Sequence, residues 1–384
     1  METMRDLNPT EMKLLDLLGK NPEYTNKKLT ALIGLKNPSY ISTLKTQLED
    51  KHYLVGPYAQ SDYGRIFKNR LRKAIVIVLF ERSYQEIVSL LESIRCFSYL
   101  YPIEERFFKG YIMGIFDSDT EEIIHIFDYL KKEGIIFHYE LYEQEYKTHV
   151  LTPSFFSNSE KSTFVPVLQN LCTDTTIPDL EFGSFSGISL SQPEQTLISY
   201  FEQGVWKLTQ IMETEREKGQ FYTYAEWKAA KDRLRFHDCI RPVCDIFPLP
   251  TMDCAHFFLF IRAHDLATTK KIIFNFGKDA RLYRKVFLWT SYKTSTPYGV
   301  IYCISHPEFT IRLLRQLDMY EEIEDMKFFV IRKEFSLWRG KSIAMHRYDA
   351  RAHTLYYPYT QYLNQMKALI EEDICPPLSP PMEK

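Results

Sequence analysis

The order of elements along this chain comes twice, and that repetition limits the folds open to it. A three-helix stretch with a strand after it, followed by a βαββαβ-like stretch, runs from Leu7 to Lys147; the same order returns from Leu190 to Gly340. The opening helix shifts from Leu7 to Leu190, the first sheet strand from Ala74 to Cys254, the central glycine from Gly110 to Gly299, and the last strand from Ile135 to Lys327. These offsets agree to within roughly ten residues, a spread that hairpin insertions absorb. The halves share almost no letters, so order and spacing carry the repeat.

Composition narrows the class. A chain of 384 residues has room for about two to three domains. With a net charge of −2 there is no global pull toward nucleic acid, so any basic patch must be local. Seven cysteines (Cys96, Cys172, Cys239, Cys244, Cys254, Cys303 and Cys375) are scattered and odd in number, which suits a reducing compartment. No apolar run approaches the ~18 residues of a membrane span, and the N-terminus lacks a basic-then-apolar signal pattern. The expectation is a cytoplasmic protein with no membrane partner.

In the first half, Leu14, Leu15 and Leu18 give one helix an apolar stripe, which Gly19 and Asn21-Pro22 stop. Thr25 caps a second helix with Leu29, Leu32 and Ile33 inside, and Gly34 supplies a left-handed turn residue. Asn37 caps a third, with Pro38 at its first position and Ile41, Leu44 and Leu48 as its buried face. The opposite face carries Ser39, Ser42, Thr43 and Thr46, flanked by Tyr40 and Gln47. This is the layout of a helix-turn-helix, in which short hydrogen-bonding side chains can enter a major groove. From Lys36 to Lys73 there are eight Lys/Arg against three acids. Tyr53 to Tyr58 predicts a wing strand, with a return strand near Arg65 to Phe67. Lys36, Lys51, Arg65 and Lys68 are therefore the expected phosphate contacts.

Ala74 to Phe80 is a near-continuous β-branched run, so a buried strand. Ser83 and Glu86 form a capping box ahead of a helix with Ile87, Leu90, Leu91 and Ile94 inside. Strands at Phe97 to Pro102 and Gly110 to Phe116, a helix from Asp119 or Thr120 to Gly134, and a strand from Ile135 to Tyr142 complete a ferredoxin-like βαββαβ unit.

Glu11-x-x-Leu14-Leu15-x-x-Leu18, Tyr24-Thr25-Asn26-x-x-Leu29-x-x-x-Ile33-Gly34-Leu35 and Leu44-x-x-x-Leu48 resemble the DNA-binding domain of the Lrp/AsnC regulators. The βαββαβ unit after them resembles that family's effector and oligomerisation domain. The resemblance covers Leu7 to about Lys147 and implies a dimeric or larger transcription regulator with a small molecule between effector domains. One departure is that Tyr111-Ile112-Met113 follows Gly110, where the family commonly places an acidic residue.

Thr148 to Ser189 is rich in Ser, Thr and Pro and predicts an extended linker, parts of which (Phe155, Phe156, Val165, Val167, Leu168) are apolar enough to pack. The second half offers helices around Leu197 to Phe201 and Leu208 to Ile211. A third, capped by Thr223 and Glu226, buries Trp227, Ala230 and Leu234. From Leu190 to Pro250 eight bases face nine acids, so this second helical unit carries no electrostatic footprint for DNA. Expected strands are His256 to Arg262, Val286 to Tyr292, Gly299 to Ser305 and Lys327 to Glu334. The helices between them centre on Ile272, Ile273 and Phe276, and on Ile311, Leu314 and Leu317. A Tyr-rich tail leads to a helix near Gln361 to Glu371 and a Pro-rich end.

The fold expected is therefore α+β: a winged helix-turn-helix plus a ferredoxin-like domain, the pair occurring twice. The boundaries expected are 1–73, 74–147, a linker at 148–189, 190–250, 251–340 and an extension at 341–384. The function expected is a DNA-binding transcription regulator that is not an enzyme. Its partners would be double-stranded DNA and a small effector bound at the seam of the two sheet units near Gly110 and Gly299. The two units are expected to pair within one chain, with a homodimer open. No catalytic residues, cofactor or metal are expected. His237, Cys239, Cys244, Cys254 and His256 fit no compact zinc spacing. Two other classes stay open. Siroheme decarboxylases resemble Lrp/AsnC proteins in fold and use paired units, and an interaction module could have lost DNA contact.

Overall fold

A computed structural model describes residues 7–105, 108–156 and 163–372; Cys375 and the Pro-rich end lie outside the described residues. Local signals set the first helices. α1 (Pro9–Lys20) starts on Asn8, whose side chain accepts from the Thr10 and Glu11 amides while Glu11 accepts from the Asn8 amide. α2 (Asn26–Ile33) is capped by Thr25 and ends on Gly34 at φ +90°, a conformation that costs glycine no Cβ clash. α3 (Pro38–Asp50) buries Ile41, Leu44 and Leu48.

The wing departs from expectation. β1 (Leu54–Ser61) has no return strand; residues expected to supply it form the short helix α4 (Tyr63–Ile66). A strand left without a hairpin partner must pair elsewhere, and β1 does so in the second half.

β2 (Arg72–Phe80), α5 (Tyr84–Glu92), β3 (Phe97–Glu105), β4 (Phe108–Asp117), α6 (Thr120–Lys132) and β5 (His138–Gln144) form the first βαββαβ unit, strand order β5-β2-β4-β3. The Ser83/Glu86 capping box closes at the start of α5. After β6 (His149–Leu151) no described residue is in a helix or strand until α7 (Gln192–Glu202). The linker is nonetheless held: Leu168, Leu171 and Leu180 enter the second unit's core, and the Asn275 amide nitrogen donates to the carbonyls of Leu171 and Thr173 at 2.9 and 2.8 Å. Phe155 is buried, whereas Phe156 and Val167 are exposed.

α8 (Leu208–Glu217), α9 (Tyr224–Phe236) and β7 (Ile240–Ile246) follow, and β7 is the partner of β1, from Leu54↔Ile246 to Ser61↔Ile240. β8 (Ala255–Ala263), α10 (Leu266–Asn275), β9 (Tyr283–Ser291), β10 (Pro297–Ser305), α11 (Pro307–Leu317) and β11 (Ile323–Ile331) form the second βαββαβ unit, order β11-β8-β10-β9. The stripe expected on α11 is displaced. Phe309, Leu313 and Leu317 are buried, while Ile311 is 82% and Leu314 39% exposed. Positions i, i+4 and i+8 face the sheet here, and Ile311 falls on the outer side.

The two sheets join at both edges. β3 pairs with β11 through Ile103↔Ile331, and β5 pairs with β9 through Gln144↔Trp289, so eight strands close into one barrel. Each seam joins the second strand of one unit to the fourth of the other. The units thus pair inside a single chain, and closure removes the sheet edges that would invite another molecule. Along β2, Ile75, Ile77 and Leu79 point into the barrel, whereas Val76, Val78 and Phe80 face the helices. The tail ends in α12 (Tyr359–Glu371), which packs on α6; the Tyr359 hydroxyl donates to the Phe116 carbonyl at 3.0 Å. No helix among the described residues is long and apolar enough to cross a membrane.

Candidate functional site: a cavity at the barrel mouth

Between the β1–β7 ribbon and one mouth of the barrel lies a cavity of about 1610 Å³. Its construction follows from strand alternation. Lys73 belongs to the inward row of β2 that continues as Ile75, Ile77 and Leu79, so its ammonium emerges at the mouth. The same geometry brings Tyr99 and Tyr101 of β3, Phe258 of β8, Lys285, Phe287 and Trp289 of β9, and Tyr302 of β10 to the wall. The rings form a layered floor. Tyr99 stacks on Tyr101 (centroids 5.1 Å, interplanar 15°) and on Phe258 (6.2 Å, 20°), and Phe258 reaches Tyr302 at 5.0 Å. Gly114 makes this possible, because a Cβ there would collide with the Tyr99 ring.

Most carboxylates on or behind the wall are engaged by neighbours. Asp245 Oδ1 accepts from the Tyr58 and Tyr283 hydroxyls (2.6 and 2.5 Å), and its Oδ2 accepts from Lys285 Nζ at 2.9 Å. Asp62 Oδ2 accepts from Lys147 Nζ at 3.3 Å and the Gly183 amide at 3.1 Å, with Arg65 Nε at 3.6 Å. Glu202 accepts from Ser61 Oγ (2.6 Å), the Tyr63 hydroxyl (3.1 Å) and the Ile343 amide (3.3 Å).

Several cations are not engaged. Among the described residues, Lys73, Arg95 and Arg241 have no hydrogen bond or ion pair to a side chain, and Lys341 stands 4.6 Å over the Phe97 ring. Burial pushes the Lys73 ammonium below its ordinary value, with Lys285 adding to the fall and Glu202 opposing it. His149, also on the wall, has its pKa lowered by burial and by Arg241 and Arg284, a shift toward the neutral imidazole. The buried Trp289 Nε1 has no partner among the described residues, and such a donor is costly to leave unmatched. Unpaired cations, a free indole donor and stacked rings together suit a flat ligand with several carboxylates.

The residues singled out from the sequence fall in three places. Ser39, Tyr40, Ser42, Thr43, Thr46 and Gln47 share the exposed face of α3, where Ser42 Oγ accepts from Asn26 Nδ2 at 2.7 Å. Lys36 and Lys68 are exposed, and Lys51 Nζ lies 3.4 Å from Glu11. Arg65 is apart from these: it lines the cavity, with its side chain against Gly183 and its carbonyl accepting from Ser186. Gly110 packs between Leu79 and Ile103, and Gly299 under Ile273 and Thr269 of α10; neither lines the cavity. Among the described residues no group of three His, Cys, Asp or Glu is placed to hold a metal.

The site roles of Lys73, Arg95, Arg241, Lys341 and Asp245 escaped the sequence reading. One signal was present for Lys73, a charge at the head of an apolar strand and in phase with its inward residues. Nothing in the sequence joins it to Arg241.

No protein-family description matches the chain, and no curated protein matches it. Among solved structures, the siroheme decarboxylase NirDL matches with a TM-score of 0.51 at 11% identity, over 94% of this chain and 99% of that one. The same enzyme in complex with an iron-uroporphyrin III analogue matches with a TM-score of 0.51 at 10% identity. The leucine response regulatory protein LrpA of Mycobacterium tuberculosis matches over 39% of this chain, with a TM-score of 0.27 and 15% identity. The chain therefore shares an α+β fold with NirDL along nearly its whole length. The expectation that it is not an enzyme is overturned, because the fold shared along nearly the whole chain is that of a decarboxylase.

Proposed function

We propose that the cavity binds a large, flat, polycarboxylated tetrapyrrole and that the chain acts on it as a decarboxylase of the siroheme type. One observation carries the reading: unpaired cations, of which Arg95, Arg241 and Lys341 are exposed, line a cavity of about 1610 Å³ whose wall also carries stacked aromatic rings. Ligand pockets ordinarily span about 300–1,000 Å³, so this one suits a macrocycle better than an amino acid. Arginine matches carboxylates with a planar fork, and Arg95 and Arg241 would hold the ligand's acid groups. The half-buried Tyr99 ring, backed by the buried Phe258, would meet the macrocycle. Support from likeness is the fold of NirDL, which was solved with an iron-uroporphyrin III analogue.

In this reading the chain is a tandem duplication that replaces a dimer, each repeat consisting of a winged helix (1–73 and 190–250) and a ferredoxin-like domain (74–147 and 251–340). The test is incubation of the purified chain with siroheme under anaerobic conditions, followed by mass analysis. Loss of carbon dioxide from the macrocycle is the expected result. An unchanged macrocycle, with no shift of its absorption bands on binding, would refute the reading.

A second reading has its own observation. The polar face of α3 is fully accessible, so Ser42, Thr43 and Thr46 would meet base edges and Lys36, Lys51 and Lys68 phosphates. A mobility shift on duplex DNA that weakens steeply with salt would support it. Absence of binding at low salt would remove it.

A further inference from the structure

The two halves of the barrel mouth are not chemically equivalent. Register fixes the comparison. Lys73 on β2 lies opposite Phe116 near the end of β4, and His256 on β8 lies opposite Ile304 near the end of β10. The two residues thus hold matching positions in the two units, each on the first strand and on its inward face. His256 is closed off: it is buried, its Nδ1 meets the Tyr302 hydroxyl at 3.1 Å and its Nε2 the Thr251 carbonyl at 3.0 Å. Lys73 has no such partners and opens on the cavity.

The other lysines on the wall are committed or exposed. Lys147 is paired with Asp62, Lys218 with Glu215 and Lys285 with Asp245, while Lys341 is exposed over Phe97. Arg95 and Arg241 cannot release a proton near neutral pH. Lys73 alone among the cavity lysines is both sheltered and unpaired within the described residues. Its surroundings are the Phe116 ring at 5.4 Å, Glu202 held by Ser61 and Tyr63, and Lys285 held by Asp245.

We propose that Lys73 delivers the proton to the ligand's side-chain carbon when its carboxyl leaves, and that the reaction is confined to the Lys73 side of the mouth. The inference rests on the decarboxylase reading. In the step, the bond between an acetate methylene and its carboxyl carbon breaks and carbon dioxide departs. The electron pair stays on the methylene carbon, delocalised into the macrocycle, until Lys73 Nζ supplies a proton and a methyl group results. Solvent then reprotonates the amine, and no oxidant or reductant is consumed. Burial weakens the ammonium's hold on its proton, the direction that favours donation by a general acid. Confinement follows from the mismatch with His256, whose ring nitrogens are both engaged. A second acetate would react only after the ligand turns over in the cavity.

Three variants of the full chain test this: Lys73→Met, Lys73→Arg and His256→Gln. Uroporphyrin III binding is followed by fluorescence quenching and siroheme turnover by mass analysis. Expected for Lys73→Met and Lys73→Arg is a loss in kcat of about 100-fold or more, with uroporphyrin III affinity in Lys73→Arg within a few-fold of the unmodified chain. The pH profile of kcat should lose one limb in both. His256→Gln should keep its kcat, and early product should carry a single new methyl group. Turnover by Lys73→Met at the ordinary rate, or doubly decarboxylated product from the first binding event, would overturn the proposal while leaving the decarboxylase reading intact. Failure of the unmodified chain to bind uroporphyrin III or alter siroheme would overturn both.

Discussion

Lys327 Nζ on β11 donates to both carboxylate oxygens of Glu140 on β5, at 2.6 and 2.7 Å, and to the Tyr142 hydroxyl at 3.0 Å. These strands belong to different βαββαβ units and stand diametrically opposite in the eight-strand circuit. The pair therefore crosses the barrel interior, toward the end away from Lys73. Each sheet unit has its own helix-side core, but this bond spans the space only the closed barrel encloses. Lys327→Met should cost about 2 kcal/mol, below the ~3–5 kcal/mol of a fully buried pair because both side chains keep some solvent contact. Glu140→Gln together with Lys327→Met should recover part of that loss in urea denaturation. An additive double variant would show that the two residues do not act as a pair.

The same carboxylate gives a pH signature. Burial pushes the Glu140 carboxyl up, but the Lys327 and Tyr142 hydrogen bonds outweigh it and leave it below its ordinary value. A depressed folded value stabilises the fold above the unfolded pKa of about 4.3 and loses that contribution as pH falls through the folded value. Acid unfolding of Lys327→Met should accordingly be less steep below about pH 4.3.

His256 acts in a different window. Burial pushes its imidazole down to about 4, with the Thr251 bond opposing and Lys333 contributing. The unfolded chain takes up this proton near pH 6.5, so stability is complete above that value and is lost between it and about 4. The loss across the window is on the order of 3 kcal/mol. Thermal melts of His256→Gln should show a flatter dependence from pH 6.5 to 4.5 than the unmodified chain, even if the variant melts lower throughout. Equal slopes would assign that pH dependence to other groups.

Asp245 joins the ribbon to the barrel, because its donors come from β1 (Tyr58) and β9 (Tyr283 and Lys285). Asp245→Ala leaves two buried hydroxyls and an ammonium without their acceptor, which should cost about 3 kcal/mol. Hydrogen exchange should locate the change, with faster exchange at the β1–β7 pairing than at α5 or α6. Uniform acceleration over the whole chain would mean that the ribbon does not open on its own.

Much of the fold is legible in the residues. Capping boxes at Ser83/Glu86 and Thr223/Glu226 mark helix starts that form as read, since both signals are local. Barrel strands follow from β-branched runs for a similar reason. The wing was misread because pairing is non-local: nothing in Tyr53 to Phe67 indicates that β1 will choose β7, far along the chain. That choice also moves Arg65 from an expected phosphate contact to the cavity wall. On α11 the apolar residues outnumber the buried positions, and composition alone could not show that Phe309 and Leu313, rather than Ile311, face the sheet. The cavity was least legible. Lys73, Arg95, Arg241 and Lys341 come together only when two sheets close, and each reads singly as a surface charge.

Two porphyrins that differ only in their acetates separate charge recognition from aromatic stacking in that cavity. Uroporphyrin III carries an acetate and a propionate on every pyrrole, whereas coproporphyrin III keeps the propionates and has methyls in place of the acetates. If Arg95 and Arg241 read carboxylates, uroporphyrin III should bind more tightly, and raising salt should narrow the gap because the interaction is partly screened. Arg95→Gln and Arg241→Gln remove one positive charge each and keep much of the side-chain volume. Each should weaken uroporphyrin III by about 1–3 kcal/mol, the range for a charge-assisted hydrogen bond, and affect coproporphyrin III less. Tyr99→Ala removes a face of the floor and should weaken both porphyrins alike, since stacking takes no account of the substituents. Fluorescence titrations at two salt concentrations supply all of these comparisons. Equal affinity for the two porphyrins, insensitive to salt and to either arginine, would show that the unpaired cations do not face the ligand.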